Sequence, residues 1–192
     1  MSLDAHSPVI FSAWVGGMDE GRMPRTLVIG FGNIDRADDG VAFFVVNALR
    51  RCLGQNPLNE DETGLEELGA GVDSIFLSQL TPELMETLAD YRRVIFVDAH
   101  VYENVEALHC EPVSPEYTPS TFTHHLTPAA FLALLKALYH HEPAGHLVSL
   151  RGYDFDFHRD LSPETEALVG PAVEYILRLI KDTQRDSAPI KS

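Results

Sequence analysis

The sequence predicts an α/β fold: a single-domain, three-layer arrangement with a mostly parallel sheet and helices on both faces. Three observations lead there. Short apolar runs of strand length recur at 26–30, 94–97 and 147–150. Segments with helical spacing or helix-start signals lie between them. The 192 residues, 45% hydrophobic and 22% charged, suffice for one domain with a full core. Strands that alternate with helices pair in parallel, because each return crosses a face of the sheet.

The elements follow in order. Thr26–Gly30 reads as a buried strand ending in glycine, with a turn over 31–37. Val41, Phe44, Val45, Ala48 and Leu49 then line one helix face. Asp38 and Asp39 stand at that helix start, where carboxylates cap free N–H groups and suit the dipole. The polar, acidic stretch 55–71 reads as a loop and 73–77 as a strand. Thr81-Pro82 opens a helix expected to reach Tyr91. Val94–Val97 is the clearest buried strand, ending at Asp98, and 106–113 is another. A loop at 114–120 precedes a helix from Thr127-Pro128 to about Tyr139. After the strand at 147–150, Ser162-Pro163 opens a last helical region to about Thr183, interrupted or restarted at Pro171. The domain is thus expected over 25–183. Residues 1–24 are expected to be a poorly ordered N-terminal extension, with Met23 a candidate natural start, and 184–192 a C-terminal tail.

Charge and composition narrow the function. A net charge of −15 argues against nucleic-acid binding, which needs a basic face. No run of about 18 apolar residues is present, so no membrane span is expected. Asp4 precedes the apolar run Val9–Gly17 where a signal peptide carries positive charge, so a cytoplasmic location is expected. Cys52 and Cys110 lack CxxC spacing and are expected to be reduced packing residues. There is no GxSxG elbow and no recognisable cysteine nucleophile, so a peptide-cutting activity would rest on a metal or metal-bound water.

Gly30-Phe31-Gly32-Asn33-Ile34-Asp35 has part of a dinucleotide fingerprint, but Asp35 holds the third glycine position. Asp38 and Asp39 then put negative charge where a pyrophosphate would sit, which excludes that reading. Asp98 either caps a turn or faces a site at the carboxyl ends of the strands, where function collects in such sheets. His124 and His125 precede a helix N-terminus, which favours the neutral, metal-ligating imidazole; the alternative is a pair of solvated loop histidines. His140, His141 and His146 form a rival cluster, read here as helix-end residues because Pro143 and Gly145 stop the helix beside them.

Together these residues resemble the hydrogenase maturation peptidase family over about residues 25–183. The resemblance rests on Gly30-Phe31-Gly32-Asn33 after a strand, on Asp38-Asp39-Gly40 before a helix, on Val97-Asp98-Ala99, and on His124-His125-Leu126. It implies a five-stranded sheet flanked by helices. It also implies an aspartic-type endopeptidase that removes the C-terminal tail of a nickel-loaded hydrogenase large-subunit precursor. Asp39, Asp98 and His124 would be its metal and catalytic residues. The nickel would be supplied by the substrate, with another divalent ion such as zinc or cadmium able to substitute. Two carboxylates and one imidazole suit a borderline ion of this kind. The chain departs from the family where Ser78-Gln79-Leu80-Thr81 replaces a glycine-rich segment, and where Ala42 replaces a frequent glycine. A different class of reading is a non-enzymatic metal-binding or assembly factor on the same scaffold.

Overall fold

The computed structural model describes residues 25–116 and 126–185. Five strands form one sheet: β1 (Thr26–Phe31), β2 (Val72–Leu77), β3 (Arg93–His100), β4 (Leu108–Val113) and β5 (Ala144–Arg151), in the order β2-β1-β3-β5-β4. β2, β1, β3 and β5 run parallel, and β4 lies antiparallel on the edge beside β5. Four α-helices accompany them: α1 (Val41–Cys52), α2 (Leu84–Leu88), α3 (Pro128–Tyr139) and α4 (Pro163–Arg185). The three-layer α/β arrangement is the one expected from the sequence.

Alternation along the strands builds two cores. On one face Val28, Ile95, Val97, Val148 and Leu150 pack against Val45 and Leu49 of α1 and Ala172, Ile176 and Ile180 of α4. On the other, Leu27, Ile29, Ile75, Val94 and Phe96 pack against Leu84, Met85 and Leu88 of α2 and Phe131, Leu132 and Leu135 of α3. Leu27, Val28 and Ile29 are all fully buried although they point to opposite sides, because helices cover both faces.

Several local expectations need correcting. The helix expected over 81–91 is only Leu84–Leu88. Thr81 and Pro82 form turns instead, their carbonyls accepting from the amides of Leu84 and Met85. Beyond Leu88 the chain must turn back so that the buried Tyr91 hydroxyl can donate to Asp73 at 2.7 Å. β3 continues past Asp98 to His100, because its pairing with β5 extends to Arg151. Asp98 therefore sits within the strand, opposite Ser149. α4 is unbroken at Pro171, which lies exposed while Ala172, Val173 and Ile176 bury the opposite side. That packing outweighs the roughly 3 kcal/mol an internal proline costs a helix. Cys110 is half-buried as expected, but Cys52 is exposed at the end of α1 and packs no core. Among the described residues, no helix is long and apolar enough to cross a membrane.

Candidate active site

The site begins where β1 runs out. Gly32 has φ of +146°, and a Cβ on it would lie 2.0 Å from the Asp39 carbonyl oxygen. Gly40 is as tightly placed, since its Cβ would stand 2.8 Å from Ile34 Cα. These two glycines let the loop fold back onto a single 3-10 turn at Ala37–Gly40, which leads directly into α1. The loop is fixed by its own polar groups: the Asn33 amide donates to Asp39 Oδ2 at 3.1 Å, and Asn33 Oδ1 accepts from the Asp35 amide at 2.9 Å.

The two adjacent aspartates have different jobs, and neither caps the helix. No side-chain cap hydrogen bond is made at the start of either the 3-10 turn or α1. Asp38 is fully buried and faces the segment after β5. Its Oδ2 accepts from the amides of Tyr153 (2.7 Å) and Asp154 (2.9 Å) and from the hydroxyls of Ser162 (2.7 Å) and Thr165 (2.8 Å). Its Oδ1 accepts from the Ser162 amide at 2.7 Å. Burial alone would raise the Asp38 pKa. The donors from Tyr153, Ser162 and Asp154 outweigh it and hold the carboxyl below the ordinary range. Asp38 is thus a clamp that docks the 152–165 segment onto the first loop.

Asp39 is left half-buried, with Asn33 as its contact, and its charge reaches Asp98. The Asp98 Oδ1 accepts from its neighbour's amide, Ala99, at 2.8 Å. Burial, with the nearby negative charge of Asp39, pushes the Asp98 carboxyl up to about 7 against the pull of that amide. The structure therefore brings Asp39 and Asp98 together at the carboxyl end of the sheet. A pair of carboxylates that repel one another in this way is suited to receiving a cation.

His124 and His125 lie outside the described residues. Downstream of them, Leu126 packs against the second core, and Thr127 caps α3 by accepting from the Ala130 amide at 3.2 Å. The Phe131 ring of α3 stands 6.2 Å from Phe96 of β3. Strand alternation puts Asp98 on the Phe96 face. The helix that follows the two histidines thus packs on Asp98's side of the sheet.

The rival histidines do not form a site. His140 takes the left-handed conformation that ends α3, with its amide on the Lys136 carbonyl. His141 Nε2 lies 2.7 Å from the Tyr91 carbonyl oxygen, and His146 is in β5. Among the described residues, no three His, Cys, Asp or Glu side chains gather so as to hold a metal ion. The sequence shows an acidic loop after the 147–150 strand and a helix start at Ser162-Pro163, but not that this segment closes on Asp38, which Ser162 and Thr165 both bond.

No protein-family model matches the chain, and no curated protein matches it in sequence. Solved structures do. The hydrogenase maturating endopeptidase HybD from E. coli superposes with a TM-score of 0.62 at 24% identity, over 83% of this chain and 93% of that one. An endopeptidase from Escherichia coli gives 0.59 at 23% identity, over 85% and 99%. The [NiFe] hydrogenase maturation protease HybD from Thermococcus kodakarensis gives 0.56 at 20% identity, over 81% and 99%. The chain, with its paired carboxylates at the carboxyl end of the sheet, therefore has the fold of the hydrogenase maturation endopeptidases.

Proposed function

We propose that this chain is a processing endopeptidase that removes the C-terminal tail of a hydrogenase large-subunit precursor, and that Asp39, Asp98 and His124 meet the nickel carried by that precursor. The observation that carries the reading is the Asp39–Asp98 pair, set beside the first strand loop on this fold. Two carboxylates and one imidazole leave open positions for the further ligands that a metal arriving with the substrate would bring. His124 is taken as the third group from the His124-His125-Leu126 pattern, and the packing of the following helix on Asp98's side of the sheet supports that reading.

Bound in this way, the nickel supplies Lewis-acid chemistry, either on the scissile carbonyl or on a water. The chain's own residues do the rest. Asp39 is held by the Asn33 amide, and Asp98 by the Ala99 amide. Asp38 secures the loop that carries Asp39 without itself reaching the metal, since its five acceptor contacts are already made. The experiment is to incubate the protein with a nickel-loaded large-subunit precursor and weigh the precursor before and after. Loss of the tail supports the proposal. Stable binding with the precursor left at full mass supports a non-enzymatic assembly factor and overturns the endopeptidase reading.

A further inference from the structure

The loop between β5 and α4 holds large rings in water on a backbone that has little freedom to move. Its amides at Tyr153, Asp154 and Ser162 donate to Asp38. Its carbonyls at Asp154 and His158 accept from the amides of Asp38 (3.1 Å) and Ala37 (2.7 Å). The Arg36 guanidinium donates to the Phe155 carbonyl, and Arg159 bridges Asp35 and Glu60. Yet the Phe157 side chain in the middle of this loop is 85% exposed, and Tyr153 is 50% exposed. Tyr102, 64% exposed, belongs to the same rim. It stacks on His100 at 6.1 Å, and the His100 carbonyl accepts from the Gly152 amide at 2.9 Å.

Leaving a ring such as Phe157 in water forgoes the gain from burying it. This loop is tied down by those bonds with the ring outward. A rigid, exposed aromatic loses little entropy when a partner covers it, which is the property of an interface anchor. The rim is also acidic. The charge of the chain is −15, and Asp154, Asp156 and Asp160 all lie within the loop. His158 is held above its ordinary pKa first by its hydrogen bond to Asp154, then by the charges of Asp154, Asp160 and Asp156. The loop's arginine, Arg159, is already engaged by Asp35 and Glu60, and Arg36 of the first loop, bonded to the Phe155 carbonyl, lies over the Phe157 ring at 5.7 Å.

We propose that Tyr102, Tyr153 and Phe157 form a docking lip that receives a basic segment of the protein substrate, one bearing an apolar side chain, next to Asp39 and Asp98. Charge complementarity sets the sign of the partner. Continuity sets its identity: the lip is bonded to Asp38, the neighbour of Asp39, so what covers the lip is the molecule delivered to that site. The inference rests on the endopeptidase reading, in which that molecule is the large-subunit precursor.

The test uses the full chain and a fluorescently labelled large-subunit precursor from the same genome. Binding is read by anisotropy at low and high salt, and cleavage by mass. Tyr153→Ser with Phe157→Ser should weaken binding at least tenfold and raise KM while leaving kcat near the wild-type value. Phe157→Ser alone should give part of the same loss. Asp156→Asn with Asp160→Asn should flatten the salt dependence. Leu138→Ser removes an equally exposed side chain at the last turn of α3 and should change nothing. Thermal melts matching the wild type show that the exposed substitutions leave the fold intact. Unchanged binding in the aromatic variants, or an equal loss in Leu138→Ser, overturns the lip. Precursor that binds wild type through the lip yet stays uncut overturns the activity and keeps the lip. Precursor that is neither bound nor cut overturns both.

Discussion

Asp38 and Asp39 are chemically identical neighbours, yet the structure gives them opposite consequences for stability. Replacing Asp38 with alanine removes the acceptor of three backbone amides, those of Tyr153, Asp154 and Ser162. It also removes an acceptor of two hydroxyls, but those have alternatives. Thr165 Oγ1 also reaches the Arg151 carbonyl at 2.9 Å, and Ser162 Oγ reaches Thr165 Oγ1 at 3.0 Å. The cost therefore concentrates in the amides. A buried donor left without a partner costs about 1–3 kcal/mol, so three give a ceiling near 9. Water entering the space left by the carboxyl lowers this, and about 3–5 kcal/mol is expected. That is a large share of a typical total of about 5–15 kcal/mol.

Asp39 has one such contact, from the amide of an exposed residue, so Asp39→Ala should cost less than about 1 kcal/mol. Urea denaturation of both variants beside the wild type decides the matter. A loss under about 1 kcal/mol in Asp38→Ala, or equal losses at the two positions, would refute the clamp. The pH dependence supplies an independent check. The folded Asp38 carboxyl lies below its ordinary value, so its contribution is fully present above about pH 4. It disappears as pH falls through the depressed value. The wild type should thus lose stability more steeply in acid than Asp38→Ala does.

The remaining expectations concern the carboxylate pair and its surroundings. Asp98 has a raised pKa, so its ionisation costs the metal-free protein stability as pH rises from about 4 to about 7. Asp98→Asn should therefore be more stable than wild type at pH 8 by about 1–2 kcal/mol in thermal or urea unfolding while losing processing; a destabilised variant contradicts the repulsion. Gly32→Ala forces a Cβ against the Asp39 carbonyl and should lower stability by about 2 kcal/mol or more and disable processing, whereas a melt identical to wild type shows that the turn is not as tight as described. His124→Ala should abolish nickel-dependent processing and His125→Ala should leave most of it, because Leu126 stands two residues after His124, the spacing on which the assignment rests. The reverse pattern in a processing assay moves the histidine assignment by one residue.

The fold was legible because its signals were redundant. Val94–Val97 is apolar throughout, and a strand covered on both faces must be. α1 announces itself by spacing, and α3 by Thr127-Pro128. What failed were boundaries set by long-range contact. Thr81-Pro82 is a sound helix start by local chemistry, but Tyr91 is drawn to Asp73 and Arg25 from other elements, and no local pattern encodes that pull. Pro171 reads as a break when neighbours are ignored. It is tolerated because α4 packs along its whole buried side against α1 and the sheet.

The site was legible in outline for a different reason. Glycines at 30, 32 and 40 and two adjacent acids are a dense local signature, and it correctly located the loop beside Asp98. It did not say what each acid does. The helix-dipole argument treats Asp38 and Asp39 alike, since both stand at the start of α1. Their difference comes from the direction in which the 3-10 turn points them, inward to residues more than a hundred positions away or outward toward β3. The clamp in turn explains the charged first loop. Asp35 and Arg36 serve less as parts of the carboxylate pair than as holds on the 152–162 segment, through Arg159 and the Phe155 carbonyl. Holding that segment is what fixes the backbone that carries the exposed rings of Tyr153 and Phe157 against Asp38. Loss of a hold in this loop should accordingly alter how the substrate is engaged before it alters whether the carboxylates can meet a metal. Exchanging Asp35 for asparagine tests this ordering: KM for the precursor should rise while the affinity of the protein for added nickel stays at the wild-type value. Loss of nickel affinity with KM unchanged would place Asp35 at the metal instead.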